Sequence, residues 1–452
     1  MASLDPLGFR ACLPRPGNGR RYLIAYSGGL DSTVLLHLLA MAERTSPLQA
    51  VHVHHGLQHA ADEWAAHCER MCGQLAIPFT QLHVSPARGP RRSLEAEARH
   101  ARYAALQGAM QPGDVLLTAH HLDDQAETLL LQLLRGAGPR GLSAMPVACE
   151  FPPGVHARPL LGYSRNELLA YAEDHALVWI EDTSNADRSH ARNYLRHEIM
   201  PRLRQRWPGV SSLLGRSAAL SAEASELLNA QAEEDLECCA GAEVGSLKIP
   251  ELQQLTPARR RNLLRVWIGL LGLPLPEAQH LQRVDTELLG AAEDATPLLA
   301  WPGAELRRYR DRLFALRPLP EVDANWCSGW GLGDALELPA ASGHLEAELT
   351  TIGPRLRAPR AEEVVSLRLA HDGERLQLAG HAQHGVLKNL CQQAGIPPWL
   401  RRRLPVVLYG GSIAAVADRW ICEGFSAKAG ESGWRLHWRD PPPGYPDRTF
   451  GC

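Results

Sequence analysis

The stretch Tyr22-Leu23-Ile24-Ala25-Tyr26-Ser27-Gly28-Gly29-Leu30-Asp31-Ser32-Thr33 decides the fold. Its first six residues are rich in apolar and aromatic side chains and read as a buried strand. Two glycines and a serine then make a tight turn, and Thr33-Val34-Leu35-Leu36-His37-Leu38-Leu39 starts a helix, with Asp31 or Ser32 placed to cap it. A strand that turns on glycines into a helix aims backbone N–H groups and the positive end of the helix dipole at one spot. The hydroxyls of Ser27 and Ser32 can add hydrogen bonds, so the turn is an anion cradle. No lysine follows the glycines, which excludes the Walker loop, and the Gly-x-Gly-x-x-Gly fingerprint is absent. An aspartate inside a phosphate loop repels phosphate unless a divalent cation stands between them, so Asp31 implies Mg²⁺. The plain alternative is an ordinary strand–helix turn with a capping aspartate.

Outward from this turn, residues 21–135 alternate strand and helix. Strands are expected over 48–53, 79–84 and 114–119, and helices over 62–75, 93–110 and 123–135. Such alternation predicts an α/β fold with a doubly wound parallel sheet, whose ligand site lies at the carboxyl ends of the strands. A second motif, Thr118-Ala119-His120-His121-Leu122-Asp123-Asp124-Gln125-Ala126-Glu127-Thr128, also leaves a strand and enters a helix. Asp124 and Glu127, three apart, share a helix face. Capping and the helix dipole alone also favour acidic residues there. Beside a nucleotide loop they suit Mg²⁺ or a cationic substrate.

Arg135-Gly136-Ala137-Gly138-Pro139-Arg140-Gly141-Leu142 reads either as a connector or as a basic flap over the crevice. Arg188, Arg192 and Arg196 recur every four residues and share a helix face, a pattern that is usually just solvated. His52, His54, His55 and His59 raise the question of a metal, but no matching Cys/His pair supports zinc. The backbone at the end of that strand is better placed to meet an adenine.

At 452 residues the chain is too long for one ordinary core. The expected organisation is a catalytic α/β domain over 1–208, a linker helix over 209–244 and a helical domain over 245–318. A Pro/Gly/Ala-rich linker over 319–350, a small α+β domain over 351–440 and a tail over 441–452 complete it. No apolar run approaches a bilayer span and no signal pattern opens the chain, so a cytoplasmic location and no membrane partner are expected. Ten scattered cysteines without a Cys-x-x-Cys pair argue against zinc ribbons and local iron–sulfur clamps. The net charge of −3 does not advertise a nucleic-acid binder. Yet only three lysines occur, so nearly all positive charge is guanidinium, suited to bidentate phosphate contacts. Arg401-Arg402-Arg403 follows an exposed-looking Trp399, a combination that suits either RNA contact or a solvated turn.

The Ser-Gly-Gly-x-Asp-Ser string resembles the PP-loop of N-type ATP pyrophosphatases. Taken together, Ser27 to Ser32, His54-His55-Gly56-Leu57, Arg99 to Tyr103, His120 to Thr128, Arg135 to Leu142 and Asp182 to Arg196 resemble the tRNA(Ile)-lysidine synthetase family. Leu387-Lys388-Asn389 through Gly395-Ile396-Pro397-Pro398-Trp399 is similar to that family's end domain. One departure is His54, where the family often carries Asn or Asp.

The resemblance implies a ligase that modifies the wobble cytidine of a CAU-anticodon isoleucine tRNA. ATP adenylates the C2 oxygen, pyrophosphate leaves, and the lysine amine displaces AMP. Ser27, Gly28, Gly29, Leu30, Asp31 and Ser32 would hold ATP, with Asp31 acting through Mg²⁺. Asp124 and Glu127 would receive L-lysine. Asp31, Asp124, Glu127 and Arg192 would be catalytic. Arg99, Arg135, Arg192, Arg196, Arg401, Arg402 and Arg403 would meet the tRNA, and a homodimer is among the assemblies allowed. The alternatives are a tRNA-thiolating PP-loop enzyme, disfavoured by the missing Cys-x-x-Cys, and a non-catalytic tRNA-binding protein, disfavoured by the intact acidic motifs.

Overall fold

A computed structural model describes residues 4–11, 13–17, 20–42, 46–54, 61–84, 94–181, 190–243, 245–292 and 295–446. Two compact units, Met1–Leu227 and Leu228–Cys452, divide within one long helix. Among the described residues, no helix is long and apolar enough to cross a membrane.

The first unit runs α1 (Pro6–Ala11), β1 (Tyr22–Ala25), α2 (Leu30–Met41), β2 (Leu48–His54), α3 (Ala61–Gln74), β3 (Phe79–His83) and α4 (Leu94–Ala109). It continues with β4 (Val115–Leu117), α5 (Leu122–Leu134), α6 (Pro139–Leu142), β5 (Ala148–Phe151), β6 (Gly154–Ala157) and α7 (Arg165–Asp174). Last come α8 (Ala191–Tyr194), a π-helical turn (Leu195–Ile199), α9 (Met200–Arg206) and α10 (Val210–Cys239).

The sheet order is β3-β2-β1-β4-β6-β5, parallel except for β5, which pairs antiparallel with β6. Both faces of the sheet are covered, as a parallel sheet requires. Along β1, Tyr22 and Ile24 join Val34, Leu35 and Leu38 of α2 in one core, while Leu23 meets Val51, Leu106 and Leu116 in another. Each such side chain, fully buried, contributes roughly 1.5–3 kcal/mol. From β1 the chain moves to β2 and β3 on one side, and β4 pairs with β1 on the other. The order therefore switches direction between β1 and β4, and that is where the first and second motifs leave the sheet.

Neither Asp31 nor Ser32 caps α2. The helix starts earlier than its sequence suggests, with Gly29 as N-cap and no side-chain cap bond, so Asp31 falls in the first turn.

The second unit opens with β7 (Ser246–Lys248), α11 (Ile249–Gln254), α12 (Pro257–Leu270), α13 (Ala278–Arg283) and a π segment (Val284–Leu289). These pack with β8 (Leu298–Trp301), β9 (Ala304–Tyr309) and β10 (Arg312–Leu316) around one core. The helices expected here are thus joined by an antiparallel sheet of order β7-β10-β9-β8.

The remainder holds β11 (Cys327–Gly329), β12 (Leu336–Glu337), β13 (His344–Thr350), β14 (Val365–Leu369), β15 (Arg375–Gln377) and β16 (His384–Val386). Then follow α14 (Leu387–Gln393), α15 (Pro398–Arg401), β17 (Pro405–Tyr409), β18 (Ser412–Val416), β19 (Trp420–Ile421) and β20 (Gly433–Arg439). Residues 319–350 are not a linker. β13 pairs with β20 from His344↔Arg439 to Thr350↔Gly433, and Trp330, Leu332, Leu338 and Leu345 lie in the core of the end domain. Nor do the first residues after 440 form a loose tail. Tyr445 stacks edge-on against Trp438 and donates to Asp418 Oδ1 at 2.6 Å.

Candidate active site

Gly28 has φ +84°, and a Cβ there would lie 2.9 Å from both Cys68 Sγ and Ile180 Cδ1, so the turn requires glycine. The Gly28 carbonyl accepts from the Ile180 amide at 2.9 Å, which ties the loop to the segment after α7. Ser27 Oγ and Ser32 Oγ lie 3.0 Å apart, and Ser32 Oγ donates to the Gly29 carbonyl at 3.0 Å. The first intrahelical bond of α2 runs from the Thr33 amide to Gly29. The amides of Leu30, Asp31 and Ser32 thus stand at the helix start without intrahelical partners, as an anion site needs.

At the second bend, His121 is the N-cap of α5, and its Nδ1 accepts from the Asp123 amide at 3.2 Å. In the neutral ring the proton therefore sits on Nε2, which lies 3.6 Å from Asp31 Oδ2 and 3.4 Å from Asp124 Oδ2. One imidazole touches both motifs. Asp124 also completes the capping box, its Oδ2 accepting from the His121 amide at 3.1 Å. The capping role and a site role thus coincide in one carboxylate.

The adjacent Asp123 faces elsewhere. It accepts from Arg204 Nη2 and Ser211 Oγ, each at 2.6 Å, and from the Arg165 amide at 2.8 Å. These bonds clamp α5 to α7, α9 and α10, and they hold its carboxyl below the ordinary range against the cost of burial. Asp123 is structural.

Asp124 and Glu127 are buried and meet two of the three arginines spaced by four. Arg192 donates to Glu127 Oε2 and Asp124 Oδ1, both at 2.9 Å. Arg196 donates to Glu127 Oε1 and Asp124 Oδ1 at 2.8 Å, and to Glu127 Oε2 at 3.0 Å. The arginine stripe is therefore not a solvated face. Its partners lie more than sixty positions upstream, out of reach of any local pattern. Burial works against ionisation of Asp124, but His121, Arg192, His120 and Arg196 outweigh it and bring its pKa down to about 2. The two guanidiniums are permanently charged and fix the direction.

His120, beside these groups, belongs to a chain of polar side chains. Its Nδ1 lies 2.8 Å from Thr118 Oγ1, which lies 2.8 Å from His156 Nε2. Arg158 Nη2 reaches His156 Nδ1 at 3.1 Å. Burial, with Arg158 and Arg99 adding to it, brings the His156 pKa down to about 3. Burial likewise brings His120 down to about 3, reinforced by Arg158, Arg192 and Arg99 and opposed by Asp124. Both rings are neutral at physiological pH. Sequence reasoning had no signal for His156 or Arg158, which come from β6 and the residue after it.

Among the other arginines named from sequence, Arg99 is exposed on α4 with its guanidinium 5.0 Å from the Tyr103 ring centre. Arg135 is exposed at the end of α5, and Arg140 is exposed on α6. Gln125 fixes the segment after α6 by bonds to the Met145 amide and carbonyl, each at 2.9 Å.

The Arg401–Arg403 cluster is not one surface. Arg403 is buried and donates to the carbonyls of Ala340 (2.6 Å) and Pro320 and to Ser342 Oγ. Arg402 is exposed and paired with Asp372, and Arg401 Nε donates to the Ile396 carbonyl at 3.3 Å. Trp399 is not exposed either. It packs into the end-domain core, against Phe314 and Tyr309, and donates to the Pro443 carbonyl at 3.1 Å.

His52 Nδ1 bonds the Tyr26 carbonyl at 2.9 Å, and His54 Nε2 reaches Asp62 Oδ1 at 3.1 Å. His55, Gly56, Leu57, His59, Asp182 and Arg188 lie outside the described residues. Among the described residues, no three His, Cys, Asp or Glu side chains are grouped to hold a metal by themselves.

Asp31 nonetheless fits a divalent cation. Its Oδ1 is enclosed and takes no hydrogen bond. Burial above all lifts its carboxyl pKa, with Asp124 adding to the rise and His121 opposing it. An enclosed carboxylate oxygen beside a phosphate cradle suits Mg²⁺, which takes few protein oxygens and completes its shell with phosphate and water.

The switch-point crevice and its Ser27–Ser32 cradle define an ATP-using PP-loop protein, and residues 11–203 match the family described as PP-loop domain. Residues 247–314 match the TilS substrate binding domain and residues 365–438 the TilS substrate C-terminal domain. The tRNA(Ile)-lysidine synthase of Methylococcus capsulatus is 43% identical over 441 residues, which cover 96% of this chain and 99% of that one. Those of Coxiella burnetii (42%; 93% of each chain) and Alkalilimnicola ehrlichii (45%; 92% and 93%) are similar over almost as much. The chain belongs to the tRNA(Ile)-lysidine synthase family.

Proposed function

We propose that this protein is a cytoplasmic ligase that joins L-lysine to C2 of the wobble cytidine in a CAU-anticodon isoleucine tRNA, with ATP. What carries this reading is the pairing of β1 with β4, which brings the Ser27–Ser32 cradle and the Asp124–Glu127 carboxylates to neighbouring strand tips in a member of this family.

The free amides at the start of α2 and the Ser27 and Ser32 hydroxyls bind the ATP phosphates. Asp31 would hold Mg²⁺, which supplies charge neutralisation as pyrophosphate departs. The C2 carbonyl oxygen of cytidine attacks the α-phosphorus and pyrophosphate leaves. The ε-amine of lysine, having lost a proton, then attacks C2, and AMP leaves with the C–O bond electrons. Asp124 and Glu127 receive the ammonium charge of lysine. Because Arg192 and Arg196 pair with both carboxylates, binding requires these guanidiniums to share or yield them. Arg99, Arg135, the half-buried Arg401 and the exposed Arg402 support contact with the tRNA backbone. The tyrosine-flanked Arg99 also suits stacking on a splayed base.

The test is pyrophosphate release from ATP by the purified chain. Release that requires the tRNA, and that continues beyond a first turnover only when lysine is present to displace AMP, is expected. Release that requires sulfide instead, or ignores lysine at every step, overturns the reading.

A further inference from the structure

The polar chain behind His120 has a direction, and the direction limits what His120 can do. Arg158 can only donate, because a guanidinium has no acceptor atom. Its Nη2 points at His156 Nδ1, so that nitrogen carries no proton and the His156 proton sits on Nε2. Nε2–H then donates to Thr118 Oγ1 at 2.8 Å. Thr118 is buried, and among the described residues its hydroxyl has one other partner, His120 Nδ1 at 2.8 Å. A buried hydroxyl proton needs an acceptor, so it goes to that nitrogen. His120 is left with its proton on Nε2. His120 is half-buried, and the hydrogen bond it makes among the described residues runs through Nδ1, which leaves Nε2 for a ligand. Arg158, Arg192 and Arg99 bring three positive charges to the ring against the single carboxylate of Asp124, a balance that favours an anionic oxygen there.

We propose that Arg158, His156 and Thr118 are positioning residues that lock His120 as a neutral imidazole donating from Nε2, to an anionic oxygen of the bound nucleotide or the adenylated base. His120 is then a hydrogen-bond donor to developing negative charge and not the base that deprotonates the lysine amine. The chain behind it cannot carry a proton away either, since it ends on a group that only donates. The identity of the ligand rests on the proposed function, whereas the tautomer does not.

The experiment reads the tautomer directly in the whole protein. Two-bond ¹H–¹⁵N correlation spectra of ¹⁵N-histidine-labelled protein, with His120 assigned by loss of its signals in His120→Gln, are expected to show a protonated Nε2 and a bare Nδ1 at neutral pH. Thr118→Val, close in shape but without a hydroxyl, is expected to release the preference, and Thr118→Ser to restore it. In turnover, Thr118→Val should lower kcat about tenfold to a hundredfold, with KM for ATP and lysine nearly unchanged and rescue by serine. A wild-type His120 that carries its proton on Nδ1, or on both nitrogens, overturns the proposal even if no Thr118 variant folds. So does a Thr118→Val protein whose His120 signals and kcat are both unmoved. Should the tautomer pattern hold while sustained, multiple-turnover pyrophosphate release fails to need lysine, only the proposed function falls.

Discussion

Asp31→Asn should make the empty protein more stable and the enzyme inactive. The wild-type carboxylate has one oxygen enclosed without a partner, and burial raises its pKa. Asparagine keeps the shape and removes the unbalanced charge. About a third of the side chain is open to solvent (34%), so the gain is discounted to about 1 kcal/mol. For a unit of this size that is roughly 2–4 °C in Tm. A carboxyl that ionises less readily in the fold than in the open chain costs stability only where the open chain is ionised. The advantage of the variant should therefore grow as pH rises through about 4 and vanish in stronger acid. Adding Mg²⁺ and ATP should reverse the order. At a hundredfold excess over Kd the wild type gains about 2.7 kcal/mol, which the variant largely forgoes. Thermal melts with and without Mg²⁺–ATP, alongside pyrophosphate release, check all three statements. An Asp31→Asn protein that melts below the wild type at neutral pH without Mg²⁺ would refute the reasoning, because Asp31 would then be a structural partner of His121.

The paired Asp124 should show the opposite sign. Its pKa of about 2 lies below that of the open chain, so its contribution of about 2 kcal/mol is complete above pH 4 and lost as pH falls toward 2. Urea midpoints of wild type and Asp124→Asn across that window should converge in acid, and parallel curves would show that the pairing adds nothing. In the end domain, Arg403→Ala orphans buried carbonyls and should destabilise its unit by about 2–4 kcal/mol. Arg401→Ala with Arg402→Ala should instead leave the melt near wild type and lower the salt slope of tRNA binding by about 1–2. An unchanged slope would remove these two residues from the interface.

Where local chemistry decides the structure, the sequence was sufficient. The glycine turn after β1, the alternation through α5 and the bend after β4 need only apolar periodicity and turn residues to be seen. What escaped was set by distant partners. His344–Thr350, acidic and preceded by prolines and glycines, resembles a tether until β20 arrives over eighty residues later to pair with it. Asp123 and Asp124 are chemically identical neighbours, and only the helix phase sends one to Arg204 and the other to Arg192 and Arg196. The Arg401–Arg403 run misleads for the same reason, since three adjacent cations on a short turn point in three directions and one points inward.

The wide turn at Leu195–Ile199 carries a consequence for any attempt to shorten this part of the chain. It lies between Arg192, which grips Asp124 and Glu127, and Arg204, which grips Asp123 one position earlier on α5. Deleting a single residue there would restore an ordinary helix and rotate everything beyond it by about 100°. Arg192 and Arg204 could not then both keep their partners. The loosened coil works as a phase adjuster, letting one continuous rod serve two layers of ion pairs that a regular helix would place on different sides.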